Sequence, residues 1–224
     1  MNKSSKFIMI IKSLLTSVLI ISASIALPIL FKPFYYLHLN MMKLNTKVGL
    51  STFQVKQAYN EVINYCIGLE PEFSAGVFKF SESAASHFAD VRSLFIFDLF
   101  CVVLSALALL IIYLVSRSKD IKEYRFKNKG SLFYGPSITL FSFMLVGLSA
   151  SLNFNKAFTI FHKIFFIGKK NWVFSYKTDP IIYVLPQSFF MNCAILIVVS
   201  IIVACVICIY LDQKSSKIFD SFVE

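Results

Sequence analysis

Two histidines, His87 and His162, are the residues in this sequence best suited to chemistry, because each sits in a polar segment directly beside a long apolar run. An imidazole in such a place can be neutral and basic near physiological pH, which is what a general base needs. The alternative for any single one of them is a polar anchor at a membrane surface. His38, flanked by Tyr35, Tyr36 and Leu37, keeps that reading. His87 opens a stripe: Asp90, Val91, Leu94 and Asp98 follow at helical offsets and share one broad face with it. Asp98 lies eleven residues on, about 16 Å along a helix axis, too far to bond His87 directly. An ionisable group within an apolar span is costly and marks a functional candidate; here it reads as a supporting or helix-packing group, or as an interfacial carboxylate reaching water or a lysine. Arg92 and Asp90 are placed to form a local surface pair. Asp90 and Asp179 are candidates for holding an imidazole, although Asp179-Pro180 also reads as a turn.

The elements that must position these groups follow from composition. Apolar residues make up 57% of 224 positions and charged residues 15%, against about 25% charged in soluble domains. A bilayer core takes about 20 apolar residues in helical form, since lipid satisfies no backbone N–H or C=O group. Four stretches qualify: 7–30, 94–115, 132–152 and 189–211. The expected fold is therefore an all-α integral membrane protein of about four transmembrane helices, a single multi-pass domain with a small extracytoplasmic helical and loop subdomain. In the first stretch Lys12 can snorkel to the interface. The small residues from Ala23 to Ala26 resemble a signal-peptide cleavage site, but the apolar run is long for one, and the stretch is read as a span.

Orientation follows from the basic residues of short loops. Arg117, Lys119, Lys122, Arg125, Lys127 and Lys129 crowd the connection 116–131, and Lys3 and Lys6 precede the first span. Both termini and that loop are assigned to the cytoplasm, and 31–93 and 153–188 to the outside. The second outer segment opposes this assignment with Lys156, Lys163, Lys169, Lys170 and Lys177, weakening it without reversing it. Both histidines then meet at the outer face. Ser51-Thr52-Phe53-Gln54 is a capping box opening an amphipathic helix with Val55, Ala58, Tyr59, Val62, Ile63 and Cys66 on its apolar side, set on the membrane surface or against the bundle. Ser81-Glu82 starts a second helix that carries His87 without interruption into the second span. Gly168 and Asn171 mark a turn before Trp172, whose aromatic neighbours fit the interfacial belt.

Other chemistries find little support. Glycine-rich phosphate loops are absent, as are metal-spaced clusters of Cys, His and acidic residues. The formal charge of +10 lies beside apolar spans rather than on a soluble basic face, so a nucleic-acid partner is not expected. Cys101, Cys193, Cys205 and Cys208 fall inside apolar runs, which leaves no disulfide framework; Cys66 reads as a small packing residue rather than a nucleophile. There is no Gly-x-Ser-x-Gly elbow.

The run Phe80-Ser81-Glu82 through His87-Phe88-Ala89-Asp90-Val91-Arg92-Ser93-Leu94-Phe95, with Phe161-His162-Lys163-Ile164-Phe165-Phe166, Trp172-Val173-Phe174, Asp179-Pro180, Leu185-Pro186 and Phe189-Phe190, resembles the bacterial lipoprotein intramolecular transacylase family. Phe88 departs from the methionine more often expected there, as does the spacing of 168–171 before Trp172. The resemblance implies an acyltransferase of the bacterial cell membrane. Such an enzyme moves the sn-2 acyl chain of a diacylglyceryl-modified lipoprotein onto the α-amino group of its N-terminal cysteine, giving the lyso-form. It implies two catalytic histidines, His87 and His162; Asp90, Asp98, Arg92, Trp172 and Asp179 are the residues expected to support them. His162 is favoured as base and His87 as its electrostatic partner, with the reverse order open. The partners it implies are the lipoprotein substrate and membrane lipids, with no cofactor and no metal. A membrane lipid hydrolase using the same histidines is one rival reading. A non-enzymatic accessory or transport protein is the other, though apart from Asp98 the spans carry only scattered Ser, Thr and Asn.

Overall fold

A computed structural model describes residues 3–121 and 123–220, with side chains from residue 5 to residue 215; Lys122 and the side chain of Lys3 lie outside the described residues. Among the described residues the regular secondary structure is helical, apart from one isolated bridge between Phe126 and Lys129. Eight α-helices follow in order: α1 (Lys3–Leu30), α2 (Lys32–Met41), α3 (Leu44–Lys47), α4 (Thr52–Cys66), α5 (Glu82–Ser118), α6 (Ser131–Leu152), α7 (Phe154–Phe165) and α8 (Gln187–Asp220). A single 3₁₀ turn, Pro180–Tyr183, precedes α8. Among the described residues, four segments are long and apolar enough to cross a membrane: Ser5–Leu30, Glu82–Ser118, Ser131–Leu152 and Gln187–Ser215. The 37 residues of α5 are more than the ~30 Å hydrocarbon layer requires, so one continuous helix includes both the polar segment around His87 and an apolar span.

The chain contacts divide into two compact units. The first comprises α1 up to Ile25, residues 99–148 and the part of α8 from Ile197. α6 comes close to α1 where Gly135 faces Ser13 and Ser17, small residues of the kind that let helices pack closely in lipid. Ile20, Ile201 and Cys205 are buried together, with Leu140 and Phe143 packed on them. The 116–131 connection is fastened by ions rather than by apolar burial. Lys12 pairs with Glu123 at 2.9 Å, and Arg125 pairs with the buried Asp212 at 2.9 Å. Glu123 also accepts the Ser131 N–H (3.0 Å) and Asp212 the Gly130 N–H (3.2 Å), so two carboxylates hold the first turn of α6. Negative charge suits the positive end of a helix dipole.

The second unit comprises residues 26–98 and 149–196. Its core gathers α2, α4 and the segment before α8 around Tyr35, Leu39, Val55, Ala58, Tyr59, Val62, Ile181, Val184 and Phe189. Tyr35 and Tyr59 stack at 3.7 Å, and the Tyr35 hydroxyl donates to the Val184 carbonyl at 2.9 Å. That bond satisfies a polar atom that burial would otherwise strand. The capping box of α4 forms as its sequence dictates, Ser51 Oγ accepting from the Gln54 N–H and the Gln54 side chain from the Ser51 N–H. Its apolar side packs into this core rather than lying on a membrane surface, and Cys66 is buried there, its thiol pushed up to about 12 by desolvation. Glu61 of α4 accepts from Ser74 Oγ (2.6 Å) and the Gly76 N–H (2.9 Å), tying down the connection to α5. Gly76 adopts φ +59°, and a Cβ there would fall 2.9 Å from the Ala58 Cα, so the backbone must run bare across α4 at this point.

Candidate functional site

Three local devices place the two histidines, all within the second unit. Ser81 Oγ accepts the Ala84 N–H at 3.1 Å and starts α5, which turns His87 inward. The Ser81 N–H in turn donates to Asp179 Oδ1 at 2.7 Å, and Thr178 Oγ1 donates to the same carboxylate. At the end of α6, Asn153 becomes extended and its side chain accepts the Lys156 N–H at 3.0 Å, so the chain restarts as α7 with a new direction. α7 buries His162 and leaves most of its other side chains outside.

The imidazoles face each other across 5.9 Å between ring centres, inclined by 28°. Both are buried, His87 6% and His162 8% exposed. Phe166 touches both rings, at 4.8 Å from His87 and 5.6 Å from His162. Phe174 lies 5.4 Å from His87, and Trp172 covers His162 at 4.9 Å. The result is an aromatic box around two titratable rings.

One hydrogen bond fixes the tautomer of His162. Its Nδ1 lies 2.7 Å from the Phe158 carbonyl oxygen. A carbonyl can only accept, so the proton sits on Nδ1 and the lone pair on Nε2. Burial lowers the His162 pKa below the ordinary histidine value, and the Phe158 carbonyl opposes this only in part. The ring is thereby kept neutral near pH 7. His87 Nδ1 is buried and bonds to none of the described residues, which leaves a polar atom open inside the box.

The supporting residues divide. Asp90 does not pair with Arg92. It pairs with Lys169 and accepts from Asn171 Nδ2 at 2.9 Å, while Asn171 also reaches Ser86 Oγ at 3.3 Å. Lys169 uses its backbone carbonyl to accept from Trp172 Nε1 at 3.2 Å. Asp90 thus holds the loop that seats Trp172 on His162, and its charge also acts on His87, where burial nevertheless dominates and lowers the imidazole pKa. Arg92 turns away, donating to the Glu70 carbonyl at 2.7 Å and lying over the Tyr65 ring. Asp179 also serves a helix rather than an imidazole, since its contacts are with Ser81 and Thr178. Hydrogen bonds outweigh its desolvation and keep its pKa below the usual carboxylate value. Asp98, half-buried, lies about 16 Å further along α5, beyond hydrogen-bonding reach of His87. His38 is not an exposed anchor: it is buried, with Nδ1 3.1 Å from Asn192 Nδ2. Sequence reasoning missed Lys169, Asn171 and the Phe158 carbonyl as parts of the site. Only the opposite charges of Asp90 and Lys169 hinted at the first.

Residues 10–190 match the family of the lipoprotein intramolecular transacylase Lit. No curated protein matches the chain. Among solved structures, the membrane integral lipoprotein intramolecular transacylase Lit from Bacillus cereus superimposes with a TM-score of 0.88 at 21% identity, covering 99% of this chain and 100% of the other. Two structures of the Bacillus cereus protein with one histidine replaced, by arginine and by alanine, match with TM-scores of 0.79 and 0.80, each at 21% identity. The arginine variant is matched over 99% of this chain and 95% of its own, the alanine variant over 97% and 96%.

Proposed function

Because the chain belongs to the lipoprotein intramolecular transacylase family, and is therefore a membrane acyltransferase, we propose that it moves the sn-2 acyl chain of a diacylglyceryl-modified lipoprotein to the α-amino group of its N-terminal cysteine. The observation that carries this reading is the pair of buried, nearly parallel imidazoles, one with its base atom defined by the Phe158 carbonyl. In the reaction the amine nitrogen attacks the ester carbonyl while His162 Nε2 takes the amine proton. A ring N–H of His87 donates to the oxyanion that develops. The tetrahedral intermediate collapses, the C–O bond to glycerol breaks, and the His162 imidazolium returns its proton to the departing glyceryl oxygen. The new C–N bond is an amide, and the proton balance closes within the site.

Amine and ester belong to one substrate molecule, so much of the entropy of bringing them together is spent before binding. What the protein supplies is a neutral base, a donor and an aromatic enclosure that keeps water from taking the acyl group. The site lies at the extracytoplasmic face, with both termini cytoplasmic, as the basic 116–131 connection supports.

Mass spectrometry of the N-terminal lipopeptide of a reporter lipoprotein tests the assignment. The intact protein should give an N-acylated, lyso-form peptide, and His87→Ala and His162→Ala should each lower its formation by about 10² to 10⁴-fold, the range for loss of a general acid or base. Unchanged product from both variants would remove the histidines from the mechanism. Free fatty acid with a free amine would instead identify a hydrolase.

A further inference from the structure

The second outer segment is basic where an outer loop ought not to be, and α7 accounts for it. Residues 153–188 hold five lysines against the single carboxylate Asp179. At ~100° per residue, Lys156 and Lys163 stand within about 20° of each other on one side of α7. Ile160, Phe161, Ile164 and Phe165 occupy a separate arc of about 140°. Those four side chains and the adjoining Ile167 are 45% to 81% exposed, so much of the apolar arc is left without protein cover. Among the described residues, Lys169 alone of the five lysines has a carboxylate within ion-pair distance. α7 also begins two residues after the apolar span Ser131–Leu152 ends, which holds it at the level of the membrane surface.

An exposed apolar arc beside unpaired cations, tethered at the bilayer surface, has the pattern of an interfacial helix. We propose that α7 and the loop after it bind the anionic phospholipids of the leaflet they face: Ile160, Phe161, Ile164, Phe165 and Ile167 enter the acyl boundary, and Lys156, Lys163 and Lys170 gather phosphate headgroups. His162 lies on the protein-facing side of the same helix, so the anchor that grips lipid also sets the height of the candidate base above the acyl chains. This anchoring requires the membrane placement of the chain and none of the proposed chemistry.

The chain holds one tryptophan, Trp172, two residues from Lys170, and it serves as a native reporter. The full-length protein is placed in mixed vesicles of phosphatidylcholine and phosphatidylglycerol, with brominated chains on one lipid or the other at equal mole fraction. At constant pH and low salt, brominated phosphatidylglycerol should quench Trp172 about twofold or more beyond brominated phosphatidylcholine, since lysines beside an anionic surface enrich that lipid around them. The difference should vanish at about 0.5 M salt and in the combined variant Lys156→Ala, Lys163→Ala, Lys170→Ala. Equal quenching by the two lipids in the unsubstituted protein, or a difference that survives the substitutions, would overturn the proposal. No lipoprotein is present, so neither result bears on the transacylase reading.

Discussion

His162 is specified as a base by what surrounds it. Its Nδ1 proton is committed to the Phe158 carbonyl, and desolvation disfavours the cation, so the direction of its pKa shift is downward. The sign of the pH effect follows. Above the lowered pKa the ring is neutral and Nε2 can accept a proton; below it the ring is charged and cannot. We predict that His162, followed by histidine NMR in the intact protein, titrates below the ordinary value of about 6.5. The acid limb of kcat/KM should fall at the same midpoint, and a midpoint above that value would contradict the buried neutral ring. Both histidines are legible in the sequence because they are rare and sit beside apolar runs. Lys169 and Asn171 are not, because their link to Asp90 spans 79 and 81 positions and exists only once α7 has turned the chain back.

At the scale of elements, local signals decide what sequence can show. The Ser51 capping box and the Ser81 start are written within four residues, and both form. The helix α7 is twelve residues long and lies in the outer segment 153–188, where only the turn at Gly168 and Asn171 is marked by a local signal. Asp179 shows the reverse case: a carboxylate suited by type to orienting an imidazole is used on the end of α5. It is 2% exposed and bonds the Ser81 backbone, so its removal leaves a partly buried N–H without this acceptor; bonds of this kind contribute about 1.5–3 kcal/mol. Asp179→Ala should lower the thermal midpoint by about 3–12 °C and reduce transacylation by loosening the start of the helix that carries His87. Differential scanning fluorimetry in detergent measures the first effect, and an unchanged midpoint would show that Asp179 does not hold α5.

For the whole molecule, hydropathy was sufficient to find the four membrane-crossing helices, because the lipid requirement for internally bonded backbone acts on every residue of a span. It carries no information on which helix faces meet, since lipid and protein interior are equally apolar to a Leu or Val. That information sits in the glycines, and it yields a paired test within the first unit. At Gly135 of α6, an added Cβ would fall 2.3 Å from the Ser13 carbonyl oxygen of α1 and 3.0 Å from Ser17 Oγ. The nearest obstacle is backbone and cannot rotate away, so α1 and α6 would have to separate. At Gly147 of the same helix, the Cβ would meet only Val198 side-chain atoms at 3.6 and 3.8 Å, which is ordinary contact. Alanine raises helix propensity by about 1 kcal/mol over glycine at either position, whereas forced separation of packed helices costs about 1–3 kcal/mol. Gly135→Ala should therefore lower the unfolding temperature in detergent while Gly147→Ala leaves it unchanged or raises it. Equal behaviour of the two variants would mean that the close approach of α1 and α6 at Gly135 does not govern the packing of this unit.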